Sequence, residues 1–272
     1  DKALFDRFEE ARGINLMKVT SDNKYIITGS NDNTIGVWSI ADKVLFHRFE
    51  GAHSDKITSM VITSDSKYIV SVSDKTIGVW NIADKALFDR FEEARGINLM
   101  KVTSDNKYII TGSNDNTIGV WSIADKVLFH RFEKVHSTWI TSMVVTNDSK
   151  YIISRSWDNT IGVWNIADKT LFHRFEEAYS LDSPMVVTSD SKYIISGSGD
   201  KTIGVWSIAD KTLFHRFERA RRDSITLVEV TNDNKFIISV SNDKTIGVWN
   251  IAEKNFLIDL KDDILMKYQE CQ

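Results

Sequence analysis

Six times in this chain of 272 residues the string Thr-Ile-Gly-Val-Trp returns, followed each time by Ser or Asn and then Ile-Ala. Its tryptophans are Trp38, Trp80, Trp121, Trp164, Trp206 and Trp249, at steps of 42, 41, 43, 42 and 43 residues. A near-constant period in this range means that one supersecondary unit is built repeatedly, and that each unit relies on its neighbours to cover its apolar faces. Part of the copying is literal, since residues 1–50 have the same sequence as residues 84–133. Units of this kind leave no room for a separate second domain. Residues 1–260 are expected to form one continuous body, and 261–272 a tail with the pattern of a short helix. The first residues, Asp1-Lys2, are the second half of the Ile-Ala-Asp-Lys turn of residues 40–43, so a longer parent array is expected.

Each unit reads as four short strands. In the second these are Val44–Phe49 and residues 57–62, 68–71 and 76–82, separated by polar turns such as Thr63-Ser64-Asp65-Ser66-Lys67. The last two strands barely alternate between apolar and polar, which predicts small sheets covered on both faces. Four strands and one tryptophan in about 42 residues predict radially stacked blades rather than a helical solenoid, which would need an apolar period near 3.6. The apolar content of 42% is enough for such a core. A net charge of -4 argues against bulk attraction to nucleic acid or anionic membrane. No apolar run approaches the length of a membrane span, and no membrane insertion is expected. The sole cysteine, Cys271, predicts no disulfide framework and a reducing compartment, cytoplasmic or nuclear.

With its loop aspartates, TIGVW strands and Thr-Ser-Asp-Asn turns, residues 1–260 resemble WD40 repeats. The resemblance implies an all-β WD40-type β-propeller with six blades of four antiparallel strands, and a seventh blade in a longer parent chain stays open. There are seven candidates for the outer strand: residues 3–8, Val44–Phe49, Ala86–Phe91, Val127–Phe132, Thr170–Phe175, Thr212–Phe217 and a weaker one at 255–260. In the family the first strand commonly completes the last blade. Two features depart from the family pattern: Trp-Ser or Trp-Asn stands where Trp-Asp is usual, and Asn or Ser replaces the glycine of the turn, which Asn tolerates in a left-handed conformation.

Two His-Ser-Asp sets, His53, Ser71 and Asp74, then His136, Ser154 and Asp158, imitate catalytic triads. The resemblance implies buried hydrogen-bond chains ending on Trp80 and Trp164 instead. Nothing around them offers an exposed nucleophile beside an oxyanion hole. The other units keep Asp32, Asp115, Asp200 and Asp243 with Thr28, Thr111, Ser196 and Ser239 but lack the histidine. Tyr179 and Arg221 stand near its place, and those units are expected to be less tightly tied. The outer-strand histidines His47, His130, His173 and His215 lie on four units and cannot converge on a metal. The Ala-Asp-Lys turns read as solvated. No enzyme, cofactor or metal is expected.

The informative positions are those where one unit breaks the pattern. Trp139 and Trp157, the only tryptophans outside the TIGVW strands, both belong to the fourth unit. Together with Arg155 and Thr141 they predict an aromatic docking face, since strand residues two apart share a side. Arg221, Arg222 and Lys244, with Arg219 and Lys201, predict a basic patch for acidic or phosphorylated segments. The function expected is a non-enzymatic protein–protein interaction scaffold. A structural module in a large assembly, or a regulatory or targeting domain of a longer enzyme, are the alternatives. The partner and the oligomeric state are not read from the sequence.

Overall fold

The computed structural model describes residues 13–73, 76–92, 96–178, 184–218 and 220–261. The chain divides into two compact units, residues 1–131 and 132–272. The first unit holds three sheets. They are β1 (Ile14–Val19), β2 (Tyr25–Ser30), β3 (Ile35–Ser39) and β4 (Val44–Phe49); then β5 (Ser59–Ile62), β6 (Tyr68–Ser73), β7 (Thr76–Asn81) and β8 (Ala86–Phe91); then β9 (Ile97–Val102), β10 (Tyr108–Ser113), β11 (Ile118–Ser122) and β12 (Val127–Phe132), which ends at the boundary. The second unit holds β13 (Ile140–Val145), β14 (Tyr151–Ser156), β15 (Ile161–Asn165) and β16 (Thr170–Phe175); then β17 (Met185–Val187), β18 (Tyr193–Gly197), β19 (Ile203–Ser207) and β20 (Thr212–Phe217); then β21 (Ile225–Val230), β22 (Phe236–Ser241), β23 (Thr245–Asn250) and β24 (Asn255–Lys261). All six sheets are four-stranded antiparallel meanders in chain order. No helix occurs among the described residues.

The last sheet is completed by β24, paired to β23 across the short turn at 252–254. This differs from the family expectation that the first strand does so: a local hairpin closes with far less loop entropy than a pairing across the whole chain. The alternative outer strand at 3–8 and the helical tail at 262–272 lie outside the described residues.

The TIGVW string is explained by one packing event. Its glycine pairs with a Ser or Thr on the preceding strand, as Gly162 does with Ser154 and Gly36 with Thr28. The indole of the tryptophan two residues on folds back over the glycine, so that a Cβ there would stand 2.7 Å from the ring nitrogen at Gly36, Gly78, Gly119 and Gly162. Only hydrogen fits. The indole N–H then donates to the hydroxyl opposite, at 2.8 to 3.0 Å in every sheet. A buried ring is thereby satisfied inside its own sheet.

Each sheet has two apolar faces, here called forward and rear. In the first unit the forward residues Ile27, Ile35, Val37 and Phe49 pack on the rear residues Met60, Ile69, Trp80 and Ile82 of the second sheet. Val70, Val72, Ile77 and Val79 meet Met100, Ile109, Trp121 and Ile123 in the same way. The pattern recurs twice in the second unit. Double coverage is the reason the strands do not alternate.

Turn chemistry accounts for the departures from the family pattern. Asn23, Ser66, Asn106, Ser149, Ser191 and Asn234 all take φ of 58 to 60°. The side chains Asn106 and Asn234 also accept the amides of Ser64 and Ser189 on the neighbouring sheet, at 2.9 and 2.8 Å, a link no glycine could make. In the first five units the Ser or Asn after the tryptophan is held by the aspartate three residues on: the Ser39 hydroxyl donates to Asp42 at 2.7 Å and the Asn81 amide to Asp84 at 2.6 Å. The lysines of these turns are exposed, in line with their reading as solvated, and four of them also face a ring. The ammonium groups of Lys85, Lys126, Lys211 and Lys254 lie 4.0 to 4.2 Å from the ring centres of Phe46, Phe88, Phe172 and Phe214 on the preceding sheet. Stacked sheets bring each turn over its neighbour's outer strand, where the cation faces an aromatic ring.

Candidate docking site

β13 and β14 pair from Ile140 with Ser156 inward. One residue further out, the Trp157 amide donates to the Trp139 carbonyl at 3.3 Å, which extends the ladder into the loops. The two tryptophans are therefore opposite one another, and their rings lie 5.3 Å apart, tilted by 31°. Trp139 is 56% exposed and Trp157 45%. Beneath them the Thr138 and Ser156 hydroxyls meet at 2.9 Å, and Ser156 donates to the Thr138 carbonyl. Two large apolar rings are thus held in water by an ordered hairpin mouth.

Beside this pair an open pocket of about 570 Å³ is lined by Lys134, His136, Ser137, Asp158, Thr160, Arg174 and Glu176. At its base the Asp158 carboxylate accepts from the Ser137 amide at 2.9 Å, the Thr160 amide at 3.0 Å, the Thr160 hydroxyl at 2.7 Å and His136 Nδ1–H at 3.1 Å. Burial raises the Asp158 carboxyl, but the Thr160 hydroxyl, the Ser137 amide and His136 outweigh it and hold it below the usual carboxylate range. Burial likewise depresses His136, against the pull of Asp158. Arg174 on β16 donates to the Val135 carbonyl at 2.7 Å and the Thr160 hydroxyl at 3.2 Å, fixing the loop that carries His136.

The His-Ser-Asp set is a structural chain. His136 Nε2 meets Ser154 Oγ at 2.8 Å, and Trp164 donates to the same oxygen at 2.8 Å. Since that hydroxyl accepts the indole N–H and donates to Nε2, the proton of neutral His136 sits on Nδ1, facing Asp158. Ser154 is fully buried, so no substrate reaches its oxygen. In the second sheet His53 bridges Ser71 and Thr76 at 2.7 Å each, and Trp80 donates to Ser71 at 2.8 Å. Asp74 lies outside the described residues. Thr76, Thr160 and Arg174 escaped sequence reasoning, although the Thr that opens every TIGVW string and the Arg of every outer strand carried a signal.

Three expectations are corrected. Arg155 is fully buried rather than part of the exposed face: its strand position matches Gly29 and Val72, which point at the next sheet, and its guanidinium donates to the Gly197 carbonyl at 2.7 Å and the Ala178 carbonyl at 3.3 Å. Burial, opposed by Asp200, pushes it down to about 10. Thr141 falls in a β-bulge between Ile140 and Ser142, where side chains do not alternate, and its hydroxyl donates to the Arg155 carbonyl at 3.3 Å. Thr58 and Thr226 make the same bond, so it belongs to the fold.

Arg221 is buried too, and the sheet it belongs to is not untied. It takes the missing histidine's place, donating to Ser239 Oγ from Nε at 3.2 Å and to Thr245 Oγ1 at 3.0 Å, with its guanidinium 5.6 Å from the Trp249 ring centre. The basic patch therefore reduces to the exposed Arg222, Lys244 and Lys201. Arg219 and Tyr179 lie outside the described residues. Arg221→Ala is expected to cost about 2 kcal/mol, while Arg222→Ala stays within about 0.5 kcal/mol. Urea unfolding of the two variants checks the contrast.

Six four-stranded meanders, each tied by an indole-to-hydroxyl bond and two of them by a His-Ser-Trp chain, are the sheets of a WD40-type β-propeller. A family model for the WD domain, G-beta repeat, matches residues 128–165, 173–207 and 212–250. A second model, described as the NWD2 C-terminal beta-propeller, matches residues 4–117. No curated protein matches the chain. WD40 propellers generally serve as protein-interaction scaffolds.

Proposed function

We propose that this chain is a non-enzymatic docking module that receives a peptide or protein surface on the fourth sheet, with Trp139 and Trp157 as its anchors. The observation that carries this reading is the exposed, mutually packed pair of indoles on a hydrogen-bonded hairpin mouth. Ordered aromatic rings lose little conformational entropy on binding, and such rings dominate interface energetics. The adjoining pocket supplies both signs of charge, Lys134 and Arg174 against Asp158 and Glu176, for a polar rim. An acidic or phosphorylated partner would have Arg222 and Lys244 as further contacts.

The test is crosslinking through Lys134 with mass spectrometry, combined with affinity measurement on the captured partner. The Trp139→Ala, Trp157→Ala double variant is expected to weaken binding by about 30-fold or more, the loss of one hot spot. Unchanged affinity, with crosslinks elsewhere, would discard the docking reading in favour of a structural module.

A further inference from the structure

In four of the sheets the residue paired with the glycine of the TIGVW string is a serine: Ser71, Ser154, Ser196 and Ser239. Each of these hydroxyls accepts the indole N–H of its own sheet. In three of the four, a side chain from the loop before the sheet bridges the hydroxyl to the threonine that opens the string. His53 joins Ser71 to Thr76, His136 joins Ser154 to Thr160, and Arg221 joins Ser239 to Thr245.

The fifth sheet, β17 to β20, has the same two oxygens and a different link. Ser196 accepts from Trp206 at 2.9 Å, and the Thr202 hydroxyl donates to Asp200 at 2.7 Å, as that of Thr160 does to Asp158. Both residues are buried, and among the described residues no side chain joins them. Instead they line a cavity of about 10 Å³ together with Ser198, Trp206, Arg155 and Arg216. That is room for one water molecule. A cavity of this size stays dry when its walls are apolar, but these walls are polar. The Ser196 hydroxyl has a proton to give, and among the described residues no acceptor for it is found. Thr202 Oγ1 spends its own proton on Asp200 and keeps lone pairs to receive one. The guanidinium groups of Arg155 and Arg216 supply further donors in the wall. Arg155 is fixed there from the fourth sheet by its bonds to the Gly197 and Ala178 carbonyls.

We propose that one water molecule binds in this cavity, accepting the Ser196 hydroxyl proton and donating to Thr202 Oγ1. It does for the fifth sheet what the imidazole does for the second and fourth, where Nε2 takes the serine proton and Nδ1 faces the threonine. A buried hydroxyl proton left unbonded is costly, and a bridging water serves nearly as well as a direct bond. The two kinds of link differ in one respect. An imidazole is tethered to the chain, whereas a water exchanges with solvent, so the hydrogen-bond chain under Trp206 is the one that solvent closes.

A crystal structure of the full chain that resolves ordered water is the first test. The expected result is a single peak within about 3.2 Å of both Ser196 Oγ and Thr202 Oγ1. No peak there, or a side chain in its place, overturns the proposal. Indole N–H resonances of the ¹⁵N-labelled chain give the second test, in solution. The Trp206 indole N–H should show a nuclear Overhauser effect to water, while those of Trp80 and Trp164, whose serines are capped by His53 and His136, should show a much weaker one. Equal effects at all three indoles would contradict it. Thr202→Val removes one anchor of the water and should abolish the Trp206 signal. An undiminished signal in that variant would show that no bridge to Thr202 exists.

Discussion

Ser154→Ala is expected to cost the protein about 4 kcal/mol, the sum of two buried groups left without partners. One hydroxyl satisfies both Trp164 Nε1–H and His136 Nε2, each at 2.8 Å, and it is fully buried, so no water replaces it. Deleting one oxygen therefore orphans a donor and an acceptor together. Ser154→Thr keeps the oxygen, and Thr28 and Thr111 already receive the indole at 2.9 Å in sheets one and three. The Thr variant should recover most of the loss. Gly162→Ala should be similarly costly from the other side, since its Cβ would meet the Trp164 ring nitrogen at 2.7 Å. Urea denaturation of the three variants gives the comparison, and an Ala variant as stable as the Thr variant would refute the account.

Acidification is expected to remove about 3 kcal/mol through His53 alone. Burial, aided by the positive charge of Arg90, lowers this imidazole from 6.5 to about 4 in the native state. Between those two values the unfolded chain binds a proton that the native chain refuses, so the unfolded state holds more protons and stability falls as pH falls. The loss begins near pH 6.5 and levels off below about 4. His136 adds to the same limb, but less, because Asp158 favours its charged form. His53→Gln should flatten the limb, measured as urea midpoints at neutral and acid pH. NMR titration of the imidazole would contradict the argument if it showed His53 charging near 6.5.

The fold was legible because its cause is periodic. A five-residue string repeated at fixed spacing announces the sheet, and the Asn and Ser turns keep the left-handed backbone their position requires. The site was legible only where a residue broke the period and stayed in water, as Trp139 and Trp157 do. Arg155 and Arg221 also break the period, and there the sequence misled. A charged residue on a strand suggests a solvent face, yet at 155 the strand position looks at the next sheet, and at 221 a histidine's cavity was waiting. Neither fact is local in sequence. The ring contacts of the exposed turn lysines were hidden for the same reason, since their aromatic partners lie on the previous sheet, about forty residues away. Thr160 was hidden by its own regularity: a residue present in every copy reads as scaffold until its bond to His136, at 3.0 Å, is seen.

The literal identity of sheets one and three also sets a chemical trap for the experimenter. Met17 and Met100 sit in the same tryptic peptide, Gly-Ile-Asn-Leu-Met-Lys, so a peptide map reports both positions as one signal. Mild peroxide should convert the exposed Met17 to the sulfoxide and spare the buried Met100. The peptide would then stop at one oxidised copy in two, a plateau easily mistaken for a half-folded sample. It would instead be the signature of a uniform molecule in which one sequence occupies two environments.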